Sequence, residues 1–138
     1  MTFHVDLSGL KDLARVCKKV APDVEKDLNR GIGLAGEVIA REARQNASFS
    51  SRIPGSIETR RRGRRVKIRA GGDAAPHAAV FEHGGLPGSF RHPVFGRDVW
   101  VEQAAHPFLT PALESGADEA FGLVVAAVDS ALRGISVV

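Results

Sequence analysis

Val24-Glu25-Lys26-Asp27-Leu28-Asn29-Arg30-Gly31-Ile32-Gly33-Leu34-Ala35-Gly36 (24–36) is the stretch that decides the fold. Its last six residues spell G-x-G-x-x-G, the phosphate-binding fingerprint of dinucleotide folds. That fingerprint works only where a strand delivers a tight glycine turn to a helix N-terminus. Here the residues ahead of Gly31 do not alternate. Val24, Leu28, Ile32, Ala35, Ile39 and Ala43 follow one another at steps of three and four, which places 24–36 inside one amphipathic helix. The glycines then read as small residues that let this helix pack closely against a neighbour, not as a nucleotide site.

The same stripe runs upstream through Leu7, Leu10, Ala14, Cys17 and Ala21. Asp6 or Ser8 is placed to cap its start. Pro22 removes a backbone donor and divides the run, predicting a short helix over 7–20 and a long one over 22–46 with Pro22 in its first turn. Ser48 to Ser56 carries turn residues. Beyond it, 56–62 and 64–70 meet at Gly63 as a hairpin, and Val66 and Ile68 alternate with Arg65, Lys67 and Arg69 in the period of a half-buried strand. Residues 71–75 form a turn, Pro76 opens a short helix, and Gly84 stops it. The segment 85–97 (GLPGSFRHPVFGR) lacks periodicity and reads as a long loop with a task beyond connection, and 99–103 (VWVEQ) reads as a third strand.

The final helix is the best signalled. Thr110 is a good N-cap, Pro111 suits the first helical position, and Leu109, Leu113, Ala117, Phe121, Val124, Val128 and Leu132 keep helical spacing until Gly134. The fold class is therefore α+β, with N-terminal helices (short, then long), a small antiparallel sheet with a hairpin, and a C-terminal helix. Residues 1–138 make one domain.

Composition excludes several classes. With 43% hydrophobic and 25% charged residues the chain is neither disordered nor fibrous. A single cysteine, Cys17, permits no intrachain disulfide and no four-cysteine zinc site. No apolar run approaches the roughly 20 residues of a membrane helix, and the first ten residues lack the pattern of a secretory signal. The expectation is a chain made and kept in a reducing cytoplasm, with no membrane partner.

Charge is concentrated. Arg60, Arg61, Arg62, Arg64, Arg65, Lys67 and Arg69 lie within ten positions, and without these seven the rest of a chain of net charge +3 carries −4. Three readings stand side by side: contact with phosphates, blind to sequence and weakened by salt; a solvated sheet edge kept apart from other sheets by its charge; and an electrostatic match to an acidic face of a neighbouring subunit. No aromatic residue interleaves 56–72, which argues against base stacking there. The acidic remainder of the chain favours the subunit reading.

No catalytic constellation emerges. His77 and His83 are six apart, His92 and His106 each precede a proline, and Glu82 and His83 are adjacent and diverge on a helix. Cys17 falls on the apolar stripe, where cysteine is an inert hydrophobe. No serine sits in a nucleophile elbow. We expect no enzyme, no cofactor and no metal site. Between 76 and 113 the chain gathers Phe81, Phe90, Phe95, Trp100 and Phe108. Phe81, Trp100 and Phe108 are expected in the core, whereas Phe90 and Phe95, on a glycine-rich loop, are candidate interface anchors.

Two segments in this region carry a resemblance. Ala78-Ala79-Val80-Phe81-Glu82-His83-Gly84-Gly85, followed by Pro107-Phe108-Leu109-Thr110-Pro111-Ala112-Leu113, resembles the signature of the small tail-completion or neck proteins of long-tailed phages. Between them, His92-Pro93-Val94-Phe95-Gly96 and Asp98-Val99-Trp100-Val101 are similar to the branch found in phages of actinobacteria. The stretch 51–57 departs from the family's threonine–glycine–x–leucine segment and keeps only Ser56-Ile57. The resemblance implies a structural virion protein of the head–tail junction, assembled in the host cytoplasm as a six-fold ring on the end of the tail tube. It implies neck and tail-tube proteins as partners and no catalysis. Tail terminator and minor tail protein are the neighbouring roles, and a sequence-independent DNA-binding protein is the alternative of another class. On this reading the basic strip (60–69) forms the subunit interface and could meet packaged DNA. Phe90, Arg91, His92, Phe95 and Arg97 reach the neighbouring ring.

Overall fold

A computed structural model describes residues 2–6, 12, 15, 19, 22–84 and 88–136. In chain order these give β1 (Thr2–Asp6), α1 (Pro22–Asn46), α2 (Ile53–Ser56), β2 (Glu58–Arg62), β3 (Arg65–Arg69), α3 (Ala78–His83), β4 (Ser89–Pro93), β5 (Trp100–Ala104) and α4 (Leu109–Ser136). The fold is α+β, as the sequence predicts, with two antiparallel sheets where one was expected. The three-stranded sheet has the order β1-β3-β2, and β4 pairs with β5 alone. Of the expected helix over 7–20, Asp12, Arg15 and Lys19 are helical; the remainder, with Cys17, lies outside the described residues.

The frame is the antiparallel packing of α1 on α4. Val24 faces Gly134, Gly31 faces Ala127 and Ile39 faces Gly116 along the pair. The close approach has a simple cause in the glycine-rich stretch. A Cβ at Gly31 would fall 2.4 Å from the Ala127 Cβ, and one at Gly36 would fall 2.4 Å from Val66 Cγ1. Gly31 admits α4 and Gly36 admits the sheet, so two of the three fingerprint glycines serve packing. Leu28, Ile32, Ile53, Ile68, Phe108 and Leu109 are fully buried in the core so formed, each contributing about 1.5–3 kcal/mol for its side chain. The exposed Arg41–Glu119 ion pair (3.1 Å) bridges α1 and α4 and adds at most about 1 kcal/mol.

The hairpin β2–β3 turns on Gly63-Arg64, with Gly63 at φ 60°, a conformation glycine adopts without a Cβ penalty. Val66 and Ile68 of β3 are buried against α1, while Arg65 and Arg69 are exposed. Three expectations at element ends are corrected. Ile53–Ser56, placed in a turn, forms a short helix with Pro54 in its first turn. The helix α4 begins at Leu109, so Thr110 lies inside it and does not cap it. It also runs to Ser136, because Gly134 packs against Val24 Cγ2 (3.0 Å from a would-be Cβ) within a continuing helix. No helix among the described residues is long and apolar enough to cross a membrane.

Candidate functional site

The outer face of the three-stranded sheet collects most of the basic strip. Antiparallel pairing puts directly opposed residues on one face. The register sets His4, Lys67 and Arg60 in one row, Asp6, Arg65 and Arg62 in the next, and Thr2, Arg69 and Glu58 in the row beyond. The basic side chains of these rows line a shallow groove of about 420 Å³. Two opposed pairs, Arg60–Lys67 and Arg62–Arg65, are of like charge, an arrangement that costs stability, while Asp6 stands opposite Arg65 and Glu58 opposite Arg69. Within the sheet, Glu58 meets Arg60 at 3.5 Å.

Arg61 also lines this groove but is tied to the hairpin and α1, and Arg64 is set apart from the face. Arg61 follows the alternation towards α1, with its Cδ beside Gly33 and its guanidinium donating to the Gly63 carbonyl at 2.6 Å. Arg64, in the turn, is half-buried with its Nε lacking a partner. Next to Arg61, the Thr59 hydroxyl donates to Glu37 on α1. The strip therefore divides into an outward grid of Arg60, Arg62, Arg65, Lys67 and Arg69 and two residues that serve the hairpin itself. His4 joins the grid through β1, which sequence reading missed.

The second surface is the β4–β5 hairpin. The expected loop 85–97 contains a strand: Ser89–Pro93 pairs with Trp100–Ala104, and 94–99 is the irregular tip between them. Phe90, expected as an interface anchor, instead packs edge-on against Phe81 (centroids 5.3 Å apart) at the hairpin base. His92 stacks near Phe90 at 5.9 Å and meets Gln103 Oε1 through Nε2 at 3.1 Å. Phe95 is fully exposed at the tip, with Arg97 beside it. Trp100, expected in the core, is 56% exposed, and Val99 is exposed next to it. Alternation in β5 sends Trp100, Glu102 and Ala104 outward, where all three are exposed. Arg91 is exposed on β4.

The two segments that carry the family resemblance meet at one side chain. Glu82, on α3, is only 4% exposed. Its Oε2 accepts from the backbone N–H groups of Phe108 (2.7 Å) and Leu109 (2.9 Å), and its Oε1 from the Thr110 N–H (2.7 Å) and hydroxyl (2.6 Å). The carboxylate thus satisfies the orphan donors of the first turn of α4 and sits at the positive end of its dipole. Burial alone would raise the Glu82 pKa. The hydrogen bonds from the Thr110 hydroxyl and the three amides outweigh it and hold the carboxyl below its ordinary value. Asn46 Nδ2 donates to the Phe108 carbonyl at 3.2 Å, which brings the end of α1 to the same point.

Phe49, Phe81, Phe90, His77, His92 and His106 form a continuous ring cluster beside this clamp, including the pairs Phe49–Phe81 (5.0 Å) and Phe49–His106 (5.1 Å). Phe81, expected in the core, is its half-buried centre. Among the described residues no three His, Cys, Asp or Glu side chains converge as metal ligands would. No protein-family model, no curated protein and no solved structure matches this chain.

Proposed function

We propose that this chain is a structural virion protein of the phage head–tail junction, a tail-completion or neck ring subunit joining the tail tube to the head connector. The Glu82 clamp carries the reading. The segments 78–85 and 107–113 are read as one signature, and in the fold they are two halves of a single hydrogen-bonded unit. A ring also needs a heterologous interface, one patch meeting a different patch on the next subunit. The chain carries unlike patches: a basic sheet face on an otherwise acidic body, and a hairpin tip with exposed Phe95 and Trp100. Immunogold labelling of virions tests the assignment. Label confined to the head–tail junction is expected; label along the tube or at the tip makes it a minor tail protein, and absence from the particle overturns it.

Reversing both members of the opposed pair, Arg60→Glu with Lys67→Glu, keeps their mutual repulsion with its sign reversed, and the exposed Glu58–Arg60 ion pair that is lost with it is worth at most about 1 kcal/mol. Assembly should fail while the fold persists. Assembly that survives the reversal removes the sheet face from the interface.

A second reading, sequence-independent DNA binding, is favoured by the same grid of opposed cations. It requires an affinity for duplex DNA that falls linearly with salt on a log–log plot. No binding at low salt eliminates it.

A further inference from the structure

Between α1 and α4, over the sheet, runs an apolar groove of about 390 Å³, lined by Ile32, Ile39, Val66, Leu113 and Phe121 among others. Asp118 is its only charged lining residue among the described residues. Phe121, on the groove wall, is 68% exposed, and Val125 one turn on is exposed too. A face of this kind on a small domain marks a docking site. The hairpin of the same chain does not fill it, since none of its residues lines the groove and Phe95 is fully exposed.

We infer that the hairpin tip of one copy docks in the α1–α4 groove of the next, with Phe95 and Trp100 in the groove and Arg97 set against Asp118. Apolar complementarity and charge select this occupant. The tip presents two exposed aromatic rings flanking exposed Arg97 and Asp98, and aromatic rings and arginine are residue types that anchor interfaces. The groove presents an apolar trough with a single carboxylate. Among the described residues neither Arg97 nor Asp118 takes part in an ion pair. Tip and groove are different patches, so the contact is head-to-tail and propagates into a closed ring or an open filament. The inference rests on the reading of the chain as a self-assembling subunit, though not on which particle it builds.

Two measurements test it. In a Cys17→Ser background carrying Asp98→Cys and Ala117→Cys, which spare the anchors, oxidation should give a ladder of disulfide-linked multimers on a non-reducing gel. In the otherwise native chain, Arg97→Asp and Asp118→Arg should each weaken self-association about tenfold or more by sedimentation, and their combination should restore it to within about threefold. A wild-type chain that stays monomeric at about 0.5 mM, a within-chain disulfide only, or charge variants without effect overturns the proposal. So does a chain with Ala117→Cys alone whose thiol bonds Cys17 of the same molecule, since residues 7–21 would then occupy the groove. Failure here with gold label at the junction discards the docking and keeps the neck reading; a ladder without label does the reverse.

Discussion

The two sheets of this molecule are built to opposite ends. In the three-stranded sheet, Val66 and Ile68 are buried against α1 and the outer face is solvated. Alternation, core contact and register reinforce one another there, and a slip by one residue would expose the core side chains. The β4–β5 hairpin has no fully buried residue in either strand. It is tied down at its base, where Phe90 packs on Phe81, Ala105 N–H donates to Gly88 O at 2.7 Å, and His106 N–H donates to Phe81 O at 2.9 Å. Isolated two-stranded hairpins are marginal in water, so the base contacts hold this one in place. One sheet stabilises the chain and the other presents a surface.

The largest effect that could break this contrast lies at the junction of the two regions. Glu82→Ala leaves three buried or half-buried amides of α4 without an acceptor and should cost about 3 kcal/mol or more in urea unfolding. A smaller loss would mean that the frame does not depend on the clamp. The same carboxylate sets a pH signature. Its folded pKa lies below its unfolded one, so its contribution is complete above the ordinary carboxylate range and is lost as pH falls through the depressed folded value. The stability gap between wild type and variant should therefore narrow on acidification below about pH 4.

Next in size is Gly31→Ala. The methyl gains helix propensity of about 1 kcal/mol but meets the Ala127 Cβ at 2.4 Å, which side-chain rotation cannot relieve. With overpacking at about 1–3 kcal/mol, a net loss of up to about 2 kcal/mol is expected by thermal unfolding. Gly122→Ala is its counterpart, because a Cβ there meets nothing within 4 Å, and it should stabilise by up to about 1 kcal/mol. Equal effects at the two sites would show that the helix contact is not close. The smallest effect belongs to the tip. Phe95→Ser, at a fully exposed position, should leave chemical stability within about 0.5 kcal/mol. Unfolding of that variant would dissolve the distinction between frame and hairpin.

How far the fold was legible follows the same division. Both long helices and the β2–β3 hairpin announce themselves by local periodicity, and core burial agrees with it. β1 was missed because Phe3 and Val5 alternate over only five residues, and the partner that makes them a strand, β3, lies some sixty residues away in the chain. β4 was read as loop because glycine and proline crowd its flanks, and its pairing with β5 has no buried face to leave an apolar pattern. Residue type points Trp100 to the core, which fails on a strand with no buried residue. The basic strip was visible as composition, but only the register separates the outward grid from Arg61 and Arg64. In the sequence Glu82 has only His83 beside it as a polar neighbour. Its partners lie 26–28 residues further on, beyond any local pattern.

That clamp has one more consequence. Because Glu82 grips Phe108 to Thr110 while His106 bonds Phe81, the chain leaves and re-enters the body at almost the same place. Everything in between is a closed detour. The entropy of closing such a detour grows slowly, by about 0.6 kcal/mol for each doubling of its length. The hairpin is in effect an exchangeable adapter: its reach and tip chemistry can be rewritten by insertion, deletion or grafting while the frame that carries it keeps its stability.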